Sequence, residues 1–135
     1  MNSTPDNMSE LSTTLSAEEI SRIARYDDFH IAPFREDGKT FGTPTWIWVV
    51  EVENKLYVRA YNGNQSRWFK AAISQKRGKI EAAGIVRRVR FEPVNGIINA
   101  EIDEAYKQKY SNSPYLGAMI SERAKAATVQ ILAGE

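Results

Sequence analysis

The stretch from Thr43 to Ile73, TPTWIWVVEVENKLYVRAYNGNQSRWFKAAI, constrains the fold more than any other part of the chain. It reads as a strand, a short turn, a second strand, a polar loop and an amphipathic helix. Successive side chains of a strand point to opposite sides. Trp46, Trp48, Val50 and Val52 therefore share one face of the first strand and Ile47 and Val49 the other. Both faces are apolar and both demand cover. In the second strand Leu56, Val58 and Ala60 alternate with Tyr57, Arg59 and Tyr61, which sets an aliphatic row against an aromatic and cationic one. Such a row inside a core hairpin points to a site. Asn62, Gly63 and Asn64 then make a turn able to take positive φ, with Asn64 as the expected cap of a helix carrying Arg67, Trp68 and Phe69. Free amides at a helix start beside Arg59, Arg67 and Lys70 suit a phosphate.

A chain of 135 residues predicts one domain with a core large enough to need no covalent staples. The net charge of +1, with well-mixed signs, argues against a dedicated nucleic-acid or membrane surface. Cysteine is absent, which removes disulfides, thiolate nucleophiles and sulfur-based zinc sites. His30 is the sole histidine, so no multi-histidine metal site can form. Chemistry is left to a bound cofactor or to carboxylates, lysines and tyrosines. No apolar run approaches the roughly 20 residues of a membrane span, and the start lacks the basic-then-apolar pattern of a signal peptide. The expectation is a cytoplasmic protein with no nucleic-acid or membrane partner.

Residues 1–14, rich in Ser, Thr and Asn, predict a disordered leader, and residues 15–135 a single domain. Ser16 and Glu19 form a capping box for a helix to about Tyr26, with Leu15 placed to staple onto Ile20. A strand over Phe29–Pro33 ends in the turn Glu36, Asp37, Gly38. After the central helix, Lys76–Lys79 predict a basic turn centred on Gly78. Strands over Lys79–Ala82 and Ile85–Glu92 then flank Gly84. Asn99 is the expected cap of a helix to about Tyr110 with Ile102, Ala105, Tyr106 and Lys109 on one stripe. Ser121 caps one more helical turn, and Thr128–Leu132 reads as a closing strand. These elements predict an α+β domain built on a small antiparallel six-stranded split β-barrel with flanking helices.

The segments GTPTWIWVV, LYVRAYNG, RWFKAA, IDEAYKQKY and AATVQIL resemble the uncharacterised bacterial domain-of-unknown-function family 2255 over Ile31 to Ile131. Gly38, Lys39, Thr43 and Pro44, followed by Asn62, Gly63, Trp68 and Phe69, are similar in order to elements of the deazaflavin-dependent nitroreductases. Those enzymes lie within the flavin-binding split-barrel superfamily that also holds the pyridoxamine phosphate oxidases. The resemblance implies that the Gly- and Lys-bearing turn, and the loop leading into the helix, contact a cofactor's phosphate and ring. This chain departs from the relative at Glu36 and Asp37, which stand where cationic residues are found there, and at Phe69, which replaces a tyrosine. An ordinary flavin phosphate thus fits better than a polyanionic deazaflavin tail.

Large aromatics dominate cores, so Trp46, Trp48, Trp68 and Phe69 are read as core. His30 is read as a structural residue, Arg87, Arg88 and Arg90 as an exposed strand face, and Asp103 and Glu104 as no acid–base pair, because adjacent helix positions face apart. The functional expectation is a flavin- or deazaflavin-binding oxidoreductase of unknown substrate. Its cofactor, flavin mononucleotide (FMN) or a deazaflavin coenzyme, would be held by Lys39, Thr43, Arg59, Tyr61, Asn62, Gly63 and Arg67, with no metal and no assigned catalytic residue. Lys39 and Arg67 are expected on the phosphate, and Arg59 or Tyr61 near the ring. The alternative is a redox-inactive ligand-binding or scaffold module on the same barrel, forming a homodimer through exposed Tyr106, Tyr110 and Tyr115.

Overall fold

A computed structural model describes residues 11–134. The first helix, α1 (Ala17–Arg25), starts on the expected capping box: the Ser16 hydroxyl accepts from the Glu19 N–H at 3.1 Å, and the Glu19 carboxylate accepts from the Ser16 N–H at 3.0 Å. Three short strands follow, β1 (His30–Pro33), β2 (Thr45–Trp46) and β3 (Val49–Val52), then β4 (Lys55–Arg59). The chain continues through α2 (Arg67–Gln75), β5 (Arg77–Ala82), β6 (Ile85–Pro93), α3 (Ile98–Lys109), α4 (Leu116–Met119), α5 (Glu122–Lys125) and β7 (Thr128–Ala133). Glu53 and Asn54 join β3 to β4, and Ala83 and Gly84 join β5 to β6, with positive φ at all four residues. Two-residue turns of that hand match the twist of the strands they connect.

All pairing is antiparallel, in the order β2, β1, β5, β6, β7, β4, β3. The sheet has seven strands, not the six expected, and curls into a half-barrel rather than a closed one. The extra strand comes from a break in the hairpin's first arm. Trp46 pairs with His30 on β1, whereas Val49 pairs with Val58 on β4, so β2 and β3 are opposite edges of one sheet. Between them Ile47 donates its N–H to Phe29 O at 3.0 Å, and the backbone then changes partner. Continuous pairing over Thr43–Val52 is therefore replaced by a gap at Trp48.

Three local expectations are corrected. Gly78 is no turn but lies within β5, opposite Val89 and Pro33. A Cβ there would stand 2.5 Å from Ala32 O and Pro33 Cα, so β1 approaches too closely for any side chain. The chain instead reverses at Lys76, which ends α2 at φ 66°. Asn99 does not cap α3, whose N-cap residue is Ile97. Residues 11–14 of the expected leader lie on the body: Leu11 is buried, Ser12 O accepts from the Arg88 N–H, and Thr14 O accepts from Arg87 Nε. The rest of that leader falls outside the described residues.

The inner face of the sheet carries an aliphatic and phenylalanine core, including Phe29, Ile31, Leu56, Val58, Ile80, Val89 and Phe91. It is covered by Ile23 of α1 and by Trp68, Phe69, Ala72 and Ile73 of α2, the inner stripe expected for that helix. On the outer face α3 covers β3 and β4, where Ile102, Tyr106, Tyr110 and Met119 pack on Val50, Val52 and Tyr57. Among the described residues no helix is long and apolar enough to cross a membrane.

Candidate functional site

The break between β2 and β3 opens a pocket of about 680 Å³. It is lined by the broken arm, Thr45 to Trp48, by Tyr115 and Met119, and by the end of β4, the loop after it and the start of α2. Trp46, Trp48, Tyr61, Trp68 and Tyr115 make this lining strongly aromatic. Trp46, expected in the core, is half exposed, with its indole N–H fixed on Asp27 O at 2.8 Å. Tyr61 meets Tyr115 edge to face at 6.1 Å, and the Arg123 guanidinium lies over the Tyr61 ring at 5.6 Å. Phe69 turns inward and is core, as expected.

Of the seven residues singled out from sequence, Arg59, Tyr61, Asn62 and Arg67 line the pocket together. Gly63 lies behind the loop at φ 69°, where a Cβ would stand 2.6 Å from Arg123 Cγ. Thr43 is not in the lining, and its place is taken by Thr45. Lys39 is in the turn between β1 and β2. The adjacent Gly38 approaches Gln75 at the last residue of α2, while Arg67 is its first, and a nine-residue helix is about 13 Å long. Lys39 and Arg67 are thus held at opposite ends of α2. The turn also carries its own anion: N–H groups of Thr40 and Lys39 and the Thr40 hydroxyl hold the Asp37 carboxyl down at about 2.

Arg59 is fully buried and makes a different use of its charge than the sequence suggests. Its Nε donates to Thr128 Oγ1, one Nη to Asp103 Oδ1 and Met119 O, and the other to Asn99 O and Asn99 Oδ1. A guanidinium has five N–H donors, so none remains for a ligand. The group ties β4 to α3, α4 and β7, and its face lies over Tyr106 at 5.5 Å. Asn99 is thereby a receptor for Arg59, and Asp103 also pairs with Lys125 at 3.1 Å. The His30 ring, bonded to Asp28 O, stands apart from the lining.

Ser66, not Asn64, is the N-cap residue of α2, and its side chain makes no capping bond. Ser66 N donates to Gly63 O and Lys70 N to Ser66 O, while the N–H groups of Arg67, Trp68 and Phe69 between them meet no acceptor among the described residues. Those orphan donors and the positive end of the helix open beside the exposed Arg67. Among the described residues the lining contains no carboxylate, histidine or lysine. Tyr115, Met119 and the supporting Arg123 were not found from sequence as pocket residues, because only the folding of residues 111–125 back onto β4 brings them there; Ser66 was missed because the sequence points to Asn64 as the cap of α2.

The pattern that defines the family described as "Uncharacterized protein conserved in bacteria (DUF2255)" matches residues 19–131. The chain belongs to that family. The match begins within α1 and ends in β7, so it takes in every wall of the pocket. No curated protein matches the chain.

Proposed function

We propose that this member of the family binds a flat, phosphate-bearing ligand of the flavin type, as a flavin- or deazaflavin-binding oxidoreductase of unknown substrate. The observation that carries the reading is the coincidence, in one pocket, of an aromatic lining with an uncapped helix start and an exposed arginine. Ring faces offer stacking surface, while the amides of Arg67, Trp68 and Phe69 and the Arg67 guanidinium offer charge-assisted hydrogen bonds to a phosphate. The resemblance of Gly38, Lys39, Thr43 and Pro44, followed by Asn62, Gly63, Trp68 and Phe69, to the order of elements in deazaflavin-dependent nitroreductases supports the same reading. With Arg59 saturated and Lys39 distant, the lining offers one cation among the described residues, which suits a single phosphate better than a polyanionic tail.

Such a ring, when bound, supplies hydride and one-electron chemistry itself. The chain's part is to stack the ring, hold the phosphate and exclude water. Because the lining, among the described residues, lacks carboxylate, histidine and lysine, only the phenols of Tyr61 and Tyr115 are left there as groups for proton transfer to a substrate. That observation favours a second reading, a module that binds the same ligand without turnover. The homodimer once expected through three tyrosines loses two of them, since Tyr106 and Tyr110 are buried and only Tyr115 is exposed, at the pocket rim.

Titration with FMN and riboflavin tests the reading, because riboflavin lacks the phosphate. Arg67→Ala weakens FMN binding roughly tenfold and leaves riboflavin within about twofold, since a charge-assisted contact is worth about 1.5–3 kcal/mol. Lys39→Ala changes neither. Failure of FMN to bind at micromolar concentration sinks the proposal. Turnover of reduced nicotinamide and an electron acceptor by FMN-loaded protein separates the oxidoreductase from the passive module.

A further inference from the structure

Trp48 is the part of the pocket wall that continues into the protein. Its indole lies flat on the Tyr110 ring, with centroids 3.9 Å apart and planes 3° from parallel. The Tyr110 hydroxyl donates to Asp27 Oδ1 at 2.9 Å. Tyr110 is buried, whereas Asp27 is exposed. An indole in the pocket, a shielded phenol and a solvent-facing carboxylate are thus in contact in series.

We propose that Trp48, Tyr110 and Asp27 form a proton-coupled one-electron relay between the pocket and the protein surface. The oxidant is a one-electron acceptor bound in the pocket, by class an electronically excited flavin-type ring. It takes one electron from Trp48 and becomes a radical anion, leaving an indole radical cation. Tyr110 returns an electron to Trp48 while its phenolic proton crosses to Asp27 Oδ1. The products are a restored indole, a neutral tyrosyl radical and a neutral carboxylic acid whose proton exchanges with water.

The surroundings of Tyr110 favour joint loss of electron and proton. A phenol is hard to oxidise while it keeps its proton, and here the hydrogen-bond acceptor is a carboxylate. Lys109 Nζ stands 5.3 Å from the same ring centroid, so a cationic ring would be penalised. Burial and the bond to Asp27 push the Tyr110 hydroxyl pKa up, which keeps the proton in place until the electron leaves. Tyr106 is the contrasting case. Its ring is 6.4 Å from Trp48 and tilted by 34°, and its hydroxyl donates to the backbone Trp48 O, which cannot take the proton.

The identity of the pocket oxidant rests on the proposed function, but the relay does not, and it is tested without any ligand. Azide radical generated by pulse radiolysis oxidises tryptophan in the full-length protein. The tryptophanyl band should then decay as the tyrosyl band rises, with a first-order rate independent of protein concentration. Asp27→Asn keeps an acceptor oxygen at an exposed position and removes the base, so it should slow this phase by about a hundredfold, the low end of what a positioned base contributes. Trp48→Phe should remove the fast phase, and Tyr106→Phe should retain it. An unchanged rate in Asp27→Asn overturns the relay, and so does a persisting fast phase in Trp48→Phe. Should Trp48→Phe fail to fold, the surface variant Asp27→Asn decides alone. Failure of FMN to bind, with the relay intact, would count against the flavin reading only.

Discussion

The inner face of the half-barrel and the part of its outer face beneath α3 solve burial in different ways. Inside, side chains from six of the seven strands meet α1 and α2 in a core of aliphatic residues and phenylalanine. Nothing there needs a hydrogen-bond partner, and the stability comes from area removed from water. Outside, α3 covers β3 and β4 with Tyr106, Tyr110 and Lys109, and the region beside the pocket encloses Arg59, Thr128 and Asn99. Each buried polar atom of that layer finds a partner. The contrast teaches that apolar pattern is enough to place one face, whereas the other depends on a network that is costly if any member is missing.

Three measurements can break that comparison, in descending size of effect. Arg59→Ala leaves Asp103, Asn99, Met119 O and Thr128 without their shared donor, and removing one partner of a buried ion pair costs about 3–5 kcal/mol. Urea unfolding checks it, and a loss comparable to an exposed arginine would show that the outer layer is not held by this hub. Ser16→Ala, at the cap of the helix that closes the inner face, should cost about 1 kcal/mol and leave the pocket untouched. An unchanged melting temperature together with unchanged helix content would place the start of α1 elsewhere.

The third effect is a slope in the pH profile, and it belongs to the outer layer. Burial depresses Lys109 to about 8 from an ordinary 10.5, although Nζ is held by Tyr26 O and Val49 O. Between those values the unfolded chain binds the extra proton, so stability should rise with pH. Burial acts oppositely on the phenols of Tyr106 and Tyr110, raising both above the ordinary 10.0. Above about 10 the unfolded chain loses protons that the folded one keeps, and stability should fall again. Lys109→Met should flatten the rise while preserving the fall. A rise that persists in this variant would assign it to groups other than Lys109.

Much of the inner face was legible in the sequence. The capping box at Ser16, the alternation of Leu56 and Val58 against Tyr57 and Arg59, the α2 stripe and the Ala83–Gly84 turn all depend on neighbours a few residues away. Four of the seven proposed pocket residues were legible for the same reason, since Arg59, Tyr61, Asn62 and Arg67 lie on one hairpin arm and the helix after it. Their spacing did not reveal that the Arg59 guanidinium would be fully occupied. Its acceptors come from Asn99, Asp103, Met119 and Thr128, distant segments whose convergence no local pattern encodes.

By itself the sequence determined what each segment could become, because periodicity, caps and turn residues act over one or two turns of backbone. Only the tertiary structure decided where the arm from Thr43 to Val52 would break. A strand over that arm has to pair with β1 at one end and β4 at the other, and the strand order sets those two partners next to opposite edges of the sheet. The same arrangement leaves Trp46 half exposed, turns an expected core residue into a pocket wall, and parts Lys39 from Arg67 by the length of α2. These outcomes depend on the summed twist and pairing of all seven strands, a property that no single stretch of residues contains.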